Sequence, residues 1–131
     1  MPDLQWSEEL ETGVQVMDHD HQISVEQLQG LRQENDDREF TSQFVAFTDH
    51  LRAHFAREES LMDEHGFFNT QGHKMEHQRV LGDLGLIVKQ AEAGDLSAVK
   101  RYVEREFSDW FVMHHATMDT DTAEFLGEAK E

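Results

Sequence analysis

The sequence predicts an all-α protein, an antiparallel up-down-up-down four-helix bundle with an N-terminal arm. The only proline is Pro2, so no helix interior is broken by proline. Gly, Asn and Asp collect in three short stretches, "ENDDRE", "GFFNTQG" and "AGDLS", which separate four helix-like segments. Short connections make consecutive helices antiparallel neighbours. The predicted helices are approximately residues 18–36, 40–64, 70–92 and 96–116, in a single domain of residues 1–131 that ends in a short C-terminal segment.

The first helix is preceded by an arm, residues 1–17, whose apolar side chains are expected to lie against the bundle. Asp18 is the predicted N-cap of the helix, because a carboxylate there can accept from the free N–H groups of the first turn. The inward face of the helix carries His21 and, at helical spacing, Val25, Leu28 and Leu31 or Arg32. The arm's predicted anchors are Leu4, Trp6, Leu10, Val14 and Val16.

Each of the other three helices has an apolar stripe with residues three and four apart, and each stripe contains polar residues towards one end. This spacing is typical of one helix face turned towards a core. The polar members are His54 and Glu58 on the second helix, His73 and His77 on the third, and His114 on the fourth. The apolar members are Phe40, Phe44, Phe47, Leu51 and Met62; Val80, Leu84, Ile87 and Ala91; and Leu96, Val99, Val103, Phe107 and Trp110.

Antiparallel packing brings these polar residues, together with His21, to one end of the bundle. A lone histidine on an apolar face is usually satisfied by a hydrogen bond, but several imidazoles beside a carboxylate are hard to satisfy in this way. A cation satisfies the ring nitrogens directly. The chain has no cysteine, so the ligand atoms would be nitrogen and oxygen. The sequence therefore predicts a metal centre in preference to a hydrogen-bonded polar layer.

The fourth helix poses a geometric problem, because its candidate ligands His114 and Asp119 are five residues apart. In a regular helix, side chains five apart differ in direction by roughly 140°. Both can reach one site only if the helix ends, kinks or widens between them. A distortion is therefore predicted near residues 116–118.

Charge and hydropathy exclude several kinds of partner. With 28 Asp+Glu against 11 Lys+Arg, the formal net charge is -17, which disfavours binding to nucleic acids and anionic lipid surfaces. The N-terminus lacks the basic and apolar regions of a signal peptide, and no segment has the ~18 apolar residues of a membrane span. We expect a cytoplasmic monomer without nucleic-acid partners or membrane insertion.

Four motifs resemble those of the hemerythrin family in order and spacing, and the resemblance covers essentially the whole chain. They are "DHDH" as D-x-x-H, "HFAREE" as H-x-x-x-E, "HKMEH" as H-x-x-x-H and "HHATMD" as H-x-x-x-x-D. The resemblance implies two non-haem iron ions joined by Glu58, Asp119 and a solvent-derived oxo or hydroxo bridge. It implies a six-coordinate iron held by three histidines and a five-coordinate iron, held by two, that binds dioxygen. The implied metal ligands are His21, His54, Glu58, His73, His77, His114 and Asp119.

The resemblance implies reversible dioxygen binding for storage, transport or delivery, and not enzymatic turnover. An oxygen-consuming protein would be the recipient. A di-iron oxidase or ferroxidase is an alternative, but such sites use Glu-x-x-His pairs, which this sequence lacks. An oxygen, redox or iron sensor is another alternative, although the short chain favours a free-standing carrier. A two-metal hydrolase would need a substrate cleft and ranks last.

Three positions depart from the common family pattern, and several side chains neighbour the implied ligands without being assigned to the site. Asp20, Ser24 and His115 stand where Gln, Leu and Ile are common. Phe55, Trp110 and Phe111 are candidates to line a dioxygen pocket, although aromatic residues at this spacing are more often core. The histidines left outside the site are His19, His50, His65 and His115.

Overall fold

A computed structural model describes residues 12–129 of the chain, apart from the side chains of Val16 and residues 127–129. It confirms the all-α four-helix bundle. The first three helices are α1, Gln15–Gln33, α2, Asp37–His65, and α3, Thr70–Glu92. The fourth, α4, extends from Leu96 to Ala129 in five consecutive segments: α-helical Leu96–Arg101, Phe107–His114 and Thr120–Ala129 alternate with π-helical Tyr102–Glu106 and His115–Asp119.

Each helix packs against the next one in the chain. Further along α4, the segment Tyr102–Glu106 contacts α1 and the segment Thr120–Ala129 contacts α2. The apolar faces meet in one core, in which Phe47 lies with its ring centroid 4.9 Å from that of Phe107 and 6.2 Å from that of Phe44. No helix within the described range is long and apolar enough to cross a membrane. The predicted core residues of α2 are all buried: Phe40, Phe44, Phe47, Leu51 and Met62.

The turns between helices follow their local sequence. Asp36 caps α2 by accepting a hydrogen bond from the backbone N–H of Glu39 at 2.9 Å. At the other end of α2, Gly66 takes a left-handed conformation, φ 67°, which allows Phe67 N–H to donate to the Met62 carbonyl at 3.0 Å. The chain therefore reverses sharply and starts α3 beside the end of α2.

The predicted start of the first helix at Asp18 is wrong, because α1 begins at Gln15. The Asp18 carboxylate accepts hydrogen bonds from residues before the helix: from both the N–H and the hydroxyl of Thr12 at 2.7 Å, and from Gly13 N–H at 3.1 Å. The helix can therefore begin earlier, and both its N-cap residue Val14 and Met17 in its first turn are buried. The proposed arm anchors Leu4, Trp6 and Leu10, and the side chain of Val16, lie outside the described residues.

The predicted end of the fourth helix at residue 116, followed by a short C-terminal segment, is also wrong. The π-helical segment His115–Asp119 accommodates the change in direction without breaking the helix, and the following turns bury Ala123 and Leu126 against Val14 and Met17. The predicted distortion near residues 116–118 is confirmed, and it is a widening of the helix. The other π-helical segment, Tyr102–Glu106, was not predicted.

Candidate metal centre

The seven candidate ligands lie together at one end of the bundle, and each has at most 5% of its surface exposed. The start of α1 and the second half of α2 supply three of them, the start of α3 supplies two, and the π-helical region of α4 supplies two. Because π-helical hydrogen bonds connect residues five apart, they bring the side chains of positions 114 and 119 to the same side of α4. The seven are His21, His54, Glu58, His73, His77, His114 and Asp119.

The candidate ligands form two overlapping groups, which share Glu58. Within each group, one nitrogen or oxygen atom of every residue lies within 4.8 Å of the others. The two groups differ in size, so one has more potential ligands than the other. The larger contains Glu58, His73, His77, His114 and Asp119, and the smaller contains His21, His54 and Glu58.

Glu58 lies between histidines of both groups. Its Oε1 is 3.2 Å from His54 Nε2 and 3.3 Å from His77 Nε2, which belong to different groups. Its Oε2 is 3.7 Å from His21 Nε2. A carboxylate in this position can interact with cations on both sides.

Asp119 likewise lies between histidines of both groups. Its Oδ1 is 3.2 Å from the Nε2 atoms of both His73 and His114, while its Oδ2 is 3.3 Å from His21 Nε2. The Nε2 atoms of His73 and His114 are themselves 3.1 Å apart. All five imidazoles therefore direct Nε2 towards the two carboxylates.

The unsatisfied polar atoms test whether these residues fit a metal. Both carboxylate oxygens of Glu58, Oδ1 of Asp119 and Nε2 of His77 are buried without a hydrogen-bond partner among the described residues. Leaving such atoms unsatisfied is costly. Two ligand atoms that share a metal ion at about 2.1 Å, at angles of about 90–110°, are about 3.0–3.4 Å apart. The inter-ligand distances of the site are mostly in this range, so the residues fit a metal.

The Nδ1 atoms of three of these histidines have polar partners. His54 Nδ1 is 3.0 Å from Asp20 Oδ2, His77 Nδ1 is 3.0 Å from Glu59 Oε2, and His73 Nδ1 is 2.9 Å from the Thr122 hydroxyl. An Nδ1–H that donates to such a partner fixes the ring orientation and leaves Nε2 free to bind a metal. The sequence prediction did not include these partners, which are Asp20, Glu59 and Thr122.

A sequence signal existed for two of these three partners. Asp20 and Glu59 each directly neighbour a candidate ligand, but adjacency alone does not place a side chain on another helix. Thr122 gave no signal, because the fourth helix was expected to end before it. The four histidines assigned no role, His19, His50, His65 and His115, lie outside both groups.

Aromatic rings cover the candidate ligands. Phe55 stacks on His77 with ring centroids 3.9 Å apart, and Trp110 stacks on His114 at 4.5 Å. The edge-to-face contact of Phe111 with His21 has a centroid distance of 5.5 Å. The three aromatic residues suggested as pocket lining therefore all contact candidate ligands. Two of them contact the smaller group: Phe111 at His21, and Phe55, whose ring centroid is 5.7 Å from that of His54.

The metal-free site balances its own charges. Burial would lower the pKa of His21, but Asp119 and Glu58 outweigh it and raise the pKa to about 10. Burial likewise disfavours charge on His54, but Glu58 and Asp20 raise its pKa to about 9. Burial would raise the pKa of Glu58 and Asp119, but the neighbouring histidines hold both well below their usual range. The contacts of the metal-free site therefore favour charged His21 and His54 beside ionised Glu58 and Asp119.

This charge balance predicts that the metal-free protein loses stability in alkaline solution. A histidine with a raised pKa in the folded state contributes stability fully below its unfolded pKa of about 6.5, and this contribution is lost as the pH rises through the folded value. For His21 and His54 that window extends from about 6.5 to about 9–10. Urea midpoints measured with a chelator present should therefore fall from pH 6.5 to pH 9.5. Constant midpoints would contradict the predicted ion pairs.

The fold and the site together define a class: helical-bundle proteins with buried groups of histidine and carboxylate side chains that could hold metal ions. No protein-family model matches the sequence. The chain is 30% identical to a bacteriohemerythrin of Ralstonia nicotianae over 128 residues, covering 98% of this chain and 92% of the relative. It is 32% identical over 81 residues to a bacteriohemerythrin of Pseudomonas aeruginosa, covering 60% of this chain and 53% of the relative. A bacteriohemerythrin of Methylococcus capsulatus is 31% identical over 81 residues, with 62% and 61% covered.

The chain therefore belongs to the bacteriohemerythrin family. Hemerythrin-type proteins have a non-haem di-iron site. The buried histidines and carboxylates of this chain fit that group in number, atom type and spacing.

Proposed function

We propose that the protein binds dioxygen reversibly at a di-iron centre formed by His21, His54, Glu58, His73, His77, His114 and Asp119. The observation that carries the proposal is the inequality of the two groups. The larger group offers three imidazoles together with Glu58 and Asp119, whereas the smaller offers two imidazoles and Glu58. A metal ion in the smaller group therefore has fewer protein ligands, which favours an open coordination position there.

The two carboxylates are proposed to join the two metal positions. Glu58 contacts histidines of both groups through Oε1, and Asp119 does so with Oδ1 on one side and Oδ2 on the other. When bound, a pair of ferrous ions supplies the electrons for dioxygen binding. The chain's part is to hold both ions in fixed positions and to keep water from the smaller group.

The histidine-rich composition of the site supports binding over turnover. Five of the seven proposed ligands are neutral when they hold a metal, and few anionic ligands leave ferrous iron less strongly driven to oxidation. No further base or nucleophile is needed for reversible binding. A member of the family with this site is thus expected to act as a carrier or store of dioxygen.

Cycling between air and argon tests the proposal. Protein purified without oxygen and loaded with ferrous iron should develop a visible absorption band in air and lose it under argon over repeated cycles. A band that reappears in each cycle with constant amplitude would support reversible binding. Loss of the band after the first exposure to air, with both ferrous ions oxidised to ferric and one peroxide released per centre, would contradict it and indicate an oxidase.

Phe111→Ala is predicted to shorten the lifetime of the oxygenated form. The Phe111 ring is 4% exposed and meets His21 edge to face at 5.5 Å, so it shields the smaller group from water and anions. Neutral dioxygen can still pass through apolar packing. The variant should retain both irons and lose the oxygenated absorption in air several-fold faster.

Phe107→Ala is the matched control for this prediction, because it deletes the same ring one helical turn earlier, where the ring contacts Phe47. His115→Ile, which keeps that buried position filled, should alter the decay less than Phe111→Ala does. Equal acceleration by Phe111→Ala and Phe107→Ala would show that a loosened core, and not loss of a shield, causes the effect.

A further inference from the structure

Asp20 is a buried carboxylate whose contacts the proposed oxygen binding does not explain. It is 4% exposed and lies on α1 immediately before His21, but its side chain contacts α2. Oδ2 is 3.0 Å from His54 Nδ1. The same oxygen accepts from Arg57 Nε at 2.7 Å, and Oδ1 accepts from the Arg57 guanidinium at 2.8 Å. One carboxylate therefore connects an arginine to a candidate ligand of the smaller group.

Arg57 reaches this carboxylate from the surface. Its side chain is 45% exposed, whereas that of Asp20 is 5% exposed, so the ion pair extends from solvent to the edge of the site. A bidentate arginine–carboxylate ion pair offsets the cost of burying the carboxylate and holds its two oxygens in a fixed plane. Asp20 Oδ2 is consequently held in place by Arg57 Nε as well as by His54 Nδ1.

The two groups differ in the partners of their histidine Nδ1 atoms. In the larger group, His77 contacts Glu59, whose side chain is 25% exposed and forms no ion pair with an arginine or lysine among the described residues. In the smaller group, His21 Nδ1 has no hydrogen-bond partner among the described residues. Within the part of the chain that the structure describes, His54 is thus the histidine of the smaller group whose Nδ1 has a carboxylate partner, and that partner is paired with an arginine.

We propose that Asp20 is a positioning residue that sets the redox properties of the smaller metal position through His54, and that Arg57 moderates its effect. This inference rests on the proposed function, because it takes His54 as a metal ligand. Asp20 holds the His54 ring with Nδ1–H outward and Nε2 towards Glu58, whose Oε1 is 3.2 Å away. It does not itself touch a metal or dioxygen.

The direction of the effect follows from electrostatics. A carboxylate that accepts from Nδ1–H makes the imidazole a stronger donor through Nε2, and this favours the ferric over the ferrous state. The Arg57 guanidinium withdraws part of that negative charge from Oδ2. Asp20 therefore lowers the reduction potential of the centre, and Arg57 raises it.

Asp20→Asn and Arg57→Met test the two roles separately. Asparagine keeps the shape and an acceptor oxygen but removes the charge, so the potential should become more positive and ferrous-ion affinity should fall about 10–100-fold. Methionine keeps the length of the arginine stem without its charge, so the potential should become more negative. A tenfold change in the ferrous–ferric equilibrium corresponds to about 59 mV for a one-electron couple.

The exposed ion pair of Asp49 and Arg52 provides matched controls. It lies on α2 with an N–O distance of 3.3 Å and side chains 67% and 57% exposed. Asp49→Asn and Arg52→Met change the net charge as the test variants do, but in solvent, where the effect is screened. They should leave the potential almost unchanged.

The measurements are iron content first and then the reduction potential of each iron-loaded variant. Opposite shifts in Asp20→Asn and Arg57→Met, both larger than in the controls, would support the inference. Shifts in the same direction, or shifts equal to the controls, would overturn it while the parent still holds two irons. A parent that binds no iron would instead overturn the proposed function.

Discussion

Removal of the metal is expected to lower the melting temperature of the protein by about 10 °C. A ligand at 100 times its dissociation constant stabilises the folded state by about 2.7 kcal/mol. For a chain of this length, each kcal/mol corresponds to a few degrees. The gain arises because the metal satisfies Glu58, Asp119 and His77 atoms that are otherwise buried without hydrogen bonds.

The experiment compares iron-loaded and chelator-treated protein in thermal unfolding at pH 7 without oxygen. Glu58→Gln is the matched control, because it keeps the side-chain volume but removes the charge that both groups share. Chelator should change the melting temperature of the parent and leave that of Glu58→Gln almost unchanged. Equal melting temperatures for loaded and metal-free parent would show that the buried groups satisfy one another without metal.

Because of the ion pairs within the site, we expect removal of the metal to lower the stability moderately and not to unfold the protein. In the metal-free protein, charged His21 and His54 offset the carboxylates, as their raised pKa values of about 10 and 9 indicate. Loading metal at neutral pH must then displace a proton from each of these two imidazoles. Metal loading at neutral pH is therefore expected to release protons, and the bundle is expected to stay folded with and without metal.

The fold and the grouping of the candidate ligands could be predicted from sequence because both depend on spacing. Residues three or four apart share a helix face, so the stripe containing His54 and Glu58 had to face the core. Short turns such as the one at Gly66 make neighbouring helices antiparallel. The five-residue interval between His114 and Asp119 required a distortion, and a π-helical segment lies there.

The ends of helices were harder to predict, because they depend on contacts between distant residues. Asp18 has the side chain of an N-cap, but its carboxylate accepts from Thr12 and Gly13, and the helix begins earlier. The last turns of α4 are stabilised by the packing of Leu126 near Met17, more than a hundred positions away in the sequence. No local pattern reveals such a contact.

The partners of the candidate ligands could not be predicted for the same reason. Asp20 is on α1 and His54 on α2, and which oxygen meets Nδ1 depends on the register of two packed helices. Departure from the common family residue marked Asp20 as unusual but did not indicate its contacts. Only the structure connects it to His54 and Arg57.

His77→Ala is expected to reduce iron content from two per chain towards one and to weaken the stabilisation by metal. His77 is fully buried, its Nε2 lies 3.3 Å from Glu58 Oε1, and its Nδ1 meets Glu59. Removing the imidazole takes one nitrogen from the larger group, leaving two histidines there. The smaller group keeps His21, His54 and Glu58, so partial occupancy is expected.

The same substitution also removes packing, because the His77 ring stacks on Phe55 with centroids 3.9 Å apart. Large-to-small core changes of this kind cost about 2–5 kcal/mol. The two effects can be separated by comparing each protein with and without metal. Packing loss lowers both melting temperatures equally, whereas ligand loss reduces the difference between them.

His19→Ala is the matched control, since His19 is exposed and lies outside both candidate groups. It should retain two irons, and its increase in melting temperature on loading should equal that of the parent. The His77→Ala variant should show a smaller increase and a lower iron content in the same preparation. Two irons per chain together with an unchanged increase on loading would exclude His77 as a ligand, because a residue that only packs against Phe55 would affect the loaded and metal-free proteins alike.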